Sequence, residues 1–512
     1  MSRPQLKVYG ISLAAAVVTI LFIVPHLFMS PVSSVCEARE GSVVQEILRS
    51  GEFVLPLRNG QVIPSKPPLF HWLAAGISQV FEHFDEFTLR LPSALAAAGT
   101  VAATAWAAAT SGGVCAGGTA ALAVLLSFGF LNLAAAGRVD MLFCLLTVLP
   151  VLIWLVAAGQ LKSRGSSLAE LPDAVYHVMG VLCGLAMLTK GPLGVMLPLL
   201  VVGSVSYFLG GGYSGLQSIL RIGWFWPLAI SLPWYVLAAF EGGTKFLARQ
   251  IVFENLRRFT GGAGIPAKPF YHYAVVFWDQ FAPWSVFLPL CAGLLLLSHL
   301  CPARRKKLAR FLPQAPGEKF VFNGALIWIV SVIVFLSMAS GKRAVYLLPV
   351  LPALGLICAA VLPRLAQHAA GGGKGEHILF SCFLRASGYA SAAALALIFA
   401  AVVLCGAYFP DLSDNYRLNV FLRSFAALVV SNFGCFSFCF FLFAAGFTVS
   451  WRKAFSKRSY FALLCGFVCF LAGLYQLLLL PGVGAKNFTH SYQKFAEEVY
   501  AVLGGAETLH VL

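Results

Sequence analysis

Two groups of residues in this sequence could do chemistry together. One is acidic: the stretch from about Ser30 to Arg90 carries Glu37, Glu40, Glu46, Glu52, Glu82, Asp85 and Glu86, and a short AAAGRVDML turn adds Asp140 beside Arg138. The other is basic: Lys245, Arg249, Arg257, Arg258 and Lys268, with Glu254 among them, then Lys342 and Arg343 in ASGKRAVYLLP, and Lys190 in LTKGPLG. A carboxylate can take a proton from an attacking hydroxyl, and cations can stabilise the charge that grows on a departing phosphate. Acid and base in this combination suit transfer of a group from a sugar phosphate. The absence of a phosphate-binding glycine loop agrees with that, because a glycosyl phosphate carries its own driving force.

The elements that must position these groups are membrane spans. Hydrophobic residues make up 59% of the 512 and charged residues only 11%, with a mean hydropathy of +0.83, which describes a chain whose solvent is lipid. At about 20 apolar residues per span, the sequence divides into about thirteen transmembrane segments. Their centres fall near Val18, Ala102, Val124, Leu149, Cys183, Leu200, Ile230, Val286, Ile329, Leu354, Ala396, Phe433 and Cys469. The first run, Val8 to Met29, is read as a span rather than a cleaved signal because it is long enough to cross and more spans follow.

Charge then orients the bundle. With the N-terminus in the cytoplasm, alternation places Lys162, Arg164, Arg221, the run Arg304 to Arg310, Arg364, Lys374 and the cluster from Arg452 to Arg458 inside, as the positive-inside rule requires. An odd number of spans puts the C-terminus outside. Both chemical groups then fall on the outer face, where the cations oppose the prevailing charge bias and call for an anionic partner such as a lipid-linked phosphate. Asp140, at the mouth of a span, needs a pair or water at that depth. It could form a simple helix-end pair with Arg138 or take part in the site.

The net charge of +16 is largely explained by cytoplasmic loops, so nucleic-acid binding is excluded as the main function. The thirteen cysteines lie mostly inside predicted spans with no metal spacing, and read as small buried apolar residues; Cys36 is the exception, in an external loop. CEAREGSVVQEILRSG reads as an amphipathic helix suited to the membrane surface, with Val43, Val44, Ile47 and Leu48 on one side. Asn59-Gly60 reads as a turn, and Pro67-Pro68 as a stiff approach to a second interfacial segment. His71, His83 and His272 lie on the same face without metal spacing and read first as packing residues.

Several motifs, in order, resemble a known family. EAREGSVVQEILRSGEFVLPLRNGQVIPSKPPLFHWL, RLPSAL, GRVDM, LTKGPLG, PWYVL, IVFENLRRF, KPFYHY through APWSVFLP, and SGKRAVYLLPVLPAL look like the bacterial protein-mannosyltransferase-like family, whose relatives include the lipid A aminoarabinose transferase. The resemblance runs from about Leu6 to Val502. It implies an all-α GT-C fold over residues 1–480, with interfacial helices in a catalytic external loop at 30–91 and an external basic loop at 241–268. It further implies a polyprenyl-phosphate sugar donor, inversion at the anomeric carbon, and an active site on the periplasmic face of the inner membrane. The acceptor would be lipid A, another glycolipid or a protein, and the enzyme a monomer.

By the same resemblance, Glu37 is the catalytic base, with Asp140 second. The family's acidic pair reads Cys36-Glu37 here, leaving Glu37 as the one acid of that motif. Lys66, Lys342 and Tyr346 would hold the donor phosphate, helped by Arg257 or Arg258, with Arg39, Glu40, Arg138, Lys190 and Arg343 as further candidates. Aminoarabinose transferases place an acid before the lysine of KPP and a tyrosine after the EAR-like stretch, where this sequence has Ser65 and Glu40. Those departures weaken the case for aminoarabinose as the sugar and for a divalent metal held by that acid. Many relatives continue into a soluble external domain; FTHSYQKFAEEVYAVLGGAETLHVL, residues 488–512, looks like its opening helix and strand, so that either the gene product is short or the domain is reduced to a stub at 481–512. The competing readings are a flippase or transporter of a lipid-linked saccharide, which would show internal repeats and midplane polar groups, and a ligase that moves a whole oligosaccharide.

Overall fold

A computed structural model describes residues 3–28, 32, 34–58, 60–212, 225–257, 260, 267–282, 284–287 and 310–371. Backbone contacts divide the chain into two compact units, one of residues 1–25 with 40–367 and the other of 26–39 with 368–512. The described part is helical: α1 (Arg3–Phe28), α2 (Val35–Ser50), α3 (Leu69–Val80), α4 (Glu86–Gly112), α5 (Val114–Leu125), α6 (Phe128–Ala134), α7 (Val139–Ser163), α8 (Asp173–Lys190), α9 (Leu193–Gly210), α10 (Phe225–Leu247), α11 (His272–Gln280), α12 (Pro316–Met338) and α13 (Leu351–Gly371). Among the described residues, six stretches are long and apolar enough to cross a membrane, and the bent pair α5 and α6 makes up to seven.

Helices cover the centres expected near Val18, Ala102, Leu149, Cys183, Leu200, Ile230, Ile329 and Leu354. The expected span around Val124 is a broken one: α5 and α6 meet at 70°. Ser127, fully buried at the break, donates its hydroxyl to the Ala123 carbonyl at 2.6 Å, and the Phe128 N–H leaves the helix ladder for the Ala282 carbonyl at 3.0 Å. Gly129 permits that approach, since a Cβ there would stand 2.3 Å from the Gln280 side-chain oxygen. The break delivers the chain to the Arg138 turn. The centres near Ala396, Phe433 and Cys469, most of the span around Val286, and the 481–512 segment lie outside the described residues.

Small residues set the spacing of the bundle. On α4 the buried face reads Ala94, Ala97, Val101, Ala105 and Ala108, and opposite it a Cβ on Gly117 would stand 2.8 Å from Ala109 and 2.9 Å from the Ala105 carbonyl. Without a hydrophobic drive between helices in lipid, such close contact is the main source of cohesion. Hydroxyls inside the helices, among them Thr100, Thr104 and Thr147, donate to carbonyls one turn back, which satisfies them within their own helix. α1 stays largely uncovered, with Leu13 and Leu21 exposed, as a lipid-facing span would be.

The amphipathic helix forms as α2, but its apolar face is covered by protein rather than left to the membrane surface. Val43, Val44 and Ile47 are buried, and Gly41 lies against the Leu89 and Phe84 side chains. The segment from Gly51 to Pro68 has no helix, and indoles pin it: Trp72 donates to the Phe53 carbonyl and Trp234 to the Val54 carbonyl, each at 2.8 Å. Leu55 then enters a cluster with Leu188, Trp234, Ala238 and Phe246. The expected turn closes around Gly60, at φ +69°, with Arg58 and Val62 exchanging backbone hydrogen bonds at 3.0 Å.

Candidate active site

Asp140 and Lys190 meet because two helix ends meet. Asp140 sits in the first turn of α7 and Lys190 in the last turn of α8, which places an anion at a helix N-terminus and a cation at a C-terminus, both favoured by the helix dipoles. Asp140 Oδ1 accepts from Lys190 Nζ at 2.6 Å, and Oδ2 pairs with Arg138 Nη2 at 2.8 Å. The carboxylate is 5% exposed, so both oxygens are held by cations in a place water hardly reaches. Lys190 also stands 5.0 Å from the Phe143 ring centre and 4.9 Å from that of Tyr346, close enough for cation–π attraction.

A second carboxylate does the same for another pair of cations. Glu254 Oε2 accepts from Lys66 Nζ at 3.2 Å, and Arg249 Nη2 stands 3.3 Å from Oε1, a charge contact without hydrogen-bond geometry. The Glu254 side chain is 3% exposed and that of Lys66 11%. Glu254 and Arg249 belong to a π-helical stretch, Ala248–Arg257. Gln250 fastens that stretch to the loop before Lys66 by donating to the Pro64 carbonyl at 2.7 Å. Lys66 lies near enough to Asp140 for its charge to bear on that carboxylate, so the two clusters share one electrostatic neighbourhood.

Beside the first cluster is a small cleft lined by Asp140, Lys190 and Tyr346 at its polar side and by Leu193, Leu197, Leu336, Val345, Leu348 and Pro349 elsewhere. The lining is amphipathic, polar at Lys190, Asp140 and Tyr346 and apolar at the leucines, in a cleft with room for about one water molecule.

The remaining expected residues lie as follows. Lys342 is buried, and its ammonium donates to the carbonyls of Lys268 at 3.0 Å and Ala339 at 2.6 Å, which ties the 267–268 segment to the end of α12. Arg343 is half-buried and caps the 3₁₀ turn Ala344–Val350 that carries Tyr346. Arg257 is exposed, and Arg258 lies outside the described residues. Glu40 is buried and accepts from His71 at 2.8 Å. His272 lies beside Lys268; burial first, then the charges of Lys268 and Lys342, push its imidazole below the ordinary range. Glu37 and Arg39 belong to the other compact unit. Glu37 is buried in the first turn of α2 with its N–H on the Ser34 hydroxyl at 3.1 Å, and Arg39 is half-buried.

Sequence reasoning counted Arg249 and Glu254 in the external basic group but gave neither a role of its own. The signal was there: Glu254 is the only acid between Lys245 and Lys268, and a lone acid among like charges is where a pair is to be expected. For a metal, the described donor set does not fit. Among the described residues no three His, Cys, Asp or Glu side chains converge, Glu40 is taken by His71, and position 65, directly before Lys66, holds a buried serine whose hydroxyl has no partner.

Comparisons with known proteins agree on the architecture. A family model described as dolichyl-phosphate-mannose-protein mannosyltransferase matches residues 65–236. An undecaprenyl phosphate-alpha-4-amino-4-deoxy-L-arabinose arabinosyl transferase of Pseudomonas savastanoi pv. phaseolicola is 28% identical over 333 residues, 64% of this chain and 56% of that protein. The protein of the same name from Shewanella sediminis is 26% identical over 381 residues, 70% of this chain and 62% of its own. The chain therefore spans less than two thirds of the length of either transferase. In structure it is similar to ArnT from Cupriavidus metallidurans bound to undecaprenyl phosphate, with a TM-score of 0.69 and 20% identity over 96% of this chain and 80% of that one. The fold is of the GT-C type, in a multi-pass inner-membrane protein.

Proposed function

We propose that this GT-C relative of the lipid A aminoarabinose transferase is a membrane glycosyltransferase, which moves a sugar from a polyprenyl-phosphate donor to an acceptor on the periplasmic face. The observation that carries the reading is the gathering of buried cations, Lys190 and Arg138 at Asp140 and Lys66 and Arg249 at Glu254, beside a cleft that is polar at Asp140, Lys190 and Tyr346 and apolar elsewhere, which is the chemistry that suits a phosphate joined to an isoprenoid. The bound lipid named for the C. metallidurans relative is of that chemical class, as is the donor named for the Pseudomonas and Shewanella transferases.

In this mechanism the acceptor hydroxyl attacks the anomeric carbon on the face opposite the phosphate. The bond between that carbon and the phosphate oxygen breaks with its electron pair left on the phosphate, and the configuration inverts. The acceptor proton passes to a carboxylate. Asp140 is poorly suited to receive it, since Lys190 and Arg138 hold both its oxygens; its part is to set those two cations. The base that the family resemblance implies is Glu37. The phosphate goes from diester to monoester and gains negative charge, and the lysines and arginines of the two clusters, Lys190 with Arg138 and Lys66 with Arg249, are the cations placed to meet it. Interactions that strengthen as this charge develops accelerate the step.

The wider arrangement follows from the same reading. The N-terminus lies in the cytoplasm and the C-terminus outside, with about thirteen spans. Residues 30–91 and 241–268 form the periplasmic face of the site, and 481–512 an external tail. Polar groups collected at helix ends, rather than at the midplane, favour a transferase over a transporter. Mass spectrometry of glycolipids and envelope proteins, from cells with the protein, without it, and with Glu37→Gln, tests the reading. The same sugar-sized mass should vanish from lipid A, another glycolipid or a protein in the last two strains; an unchanged acceptor pool, with polyprenyl-phosphate sugars accumulating in the cytoplasmic leaflet, would overturn it.

A further inference from the structure

Glu254 stands in an unusual position. It is a buried carboxylate whose Oε2 is bonded to Lys66, with Arg249 at its Oε1. If Lys66 receives the donor phosphate, an anion already occupies the place next to it. Two like charges a few ångströms apart in a site shielded from water repel strongly, so donor phosphate and Glu254 carboxylate compete for the same cations.

The support of Glu254 is built to yield. π-Helical turns are less regularly bonded than α-helix and recur at functional sites, and Ala248–Arg257 is one such stretch. Upstream, the helical path breaks at Gly243, where φ 53° and ψ −143° suit glycine alone. Ile251, Val252 and Arg257 face outward, and besides the Lys66–Glu254 bond itself, Gln250 at Pro64 is the described hydrogen bond that ties the stretch to the Lys66 loop. Asp140 has no such freedom, held as it is in the first turn of the 25-residue helix α7.

We infer that Glu254 is an internal counter-anion of the donor site: it neutralises Lys66 and Arg249 while the site is empty, is displaced by the donor phosphate, and returns to help expel the polyprenyl phosphate product. This inference rests on the reading of Lys66 as a phosphate ligand. It assigns a positioning role, without direct contact to the reacting atoms, to a residue that sets both affinity and release.

The test is binding of undecaprenyl phosphate to the purified full chain in lipid nanodiscs, for the wild type, Glu254→Gln, Glu254→Asp and Lys66→Ala, with melting temperatures to confirm folding. Glu254→Gln should bind roughly tenfold more tightly, about 1.4 kcal/mol, and Glu254→Asp, whose shorter side chain keeps the charge but reaches Lys66 less well, a few-fold more tightly. In turnover, Glu254→Gln should lower KM for the donor and also kcat, because product leaves more slowly. If Lys66→Ala weakens binding while both Glu254 variants bind equally or less tightly than the wild type, Glu254 only props up Lys66 and the inference is wrong. If Lys66→Ala leaves binding unchanged, the donor-site reading fails first. Should the glutamine variant not fold, the aspartate variant alone decides.

Discussion

The Asp140 and Glu254 clusters have the same make-up, a buried carboxylate between a lysine and an arginine, yet they are mounted in opposite ways. Asp140 and Lys190 stand at the ends of neighbouring helices whose dipoles favour them there. Glu254 and Lys66 stand on a π-helical stretch and a loop, joined besides their own bond by the Gln250 side chain on the Pro64 carbonyl. The lesson is that similar ion pairs serve fixed geometry on one support and exchange on another. Rigid elements hold a constellation more closely than loops do, and loops supply the motion that binding and release require.

The comparison can be broken or sharpened by experiment. The largest effect is expected outside both clusters: Glu37→Gln should cut turnover by roughly 10²–10⁴-fold while donor binding stays near wild type. Near-normal turnover in a glycolipid-labelling assay would move the base elsewhere. Within the fixed cluster, Asp140→Asn strands two cations in a poorly hydrated place, and should lower stability by about 3–5 kcal/mol in thermal unfolding in detergent. A loss no greater than that of a surface variant would show that the helix ends tolerate the bare charges.

In the movable cluster the effect should fall on affinity more than on stability. Lys66→Ala removes a charge-assisted bond of about 1.5–3 kcal/mol, so undecaprenyl phosphate binding should weaken by roughly 10–100-fold, with a fall in melting temperature as the buried Glu254 carboxylate loses its hydrogen-bonded partner. A large stability loss without an affinity loss would reverse the assignment of the two clusters. Arg249→Ala, whose partner contact lacks hydrogen-bond geometry, should show a smaller loss in the same titration. Cys36→Ser should be nearly neutral in turnover; strong loss would mean that this position of the acidic motif still takes part.

Much of this protein was legible in its sequence because lipid leaves the chain few choices. With no water to bond its backbone, an apolar run must form a helix, and the helices at Ala102, Leu149, Leu200 and Ile329 stand where hydropathy alone placed them. Loop charge put Asp140 and Lys190 on one face, and the order of the motifs pointed to the fold and to a polyprenyl-phosphate transferase. Hydropathy could not show that the run around Val124 is broken at 70°, because that bend depends on Ser127, Gly129 and the distant Ala282 carbonyl. Nor could spacing show which cation meets which acid. Lys66 and Glu254 lie 188 residues apart, and Lys342, read beside Tyr346 as a phosphate ligand, has its ammonium on main-chain carbonyls. Composition and periodicity act over one or two helical turns and fix where the chain crosses the membrane; the pairing of buried charges is decided across the bundle, by which helix ends and loops come within a few ångströms of each other.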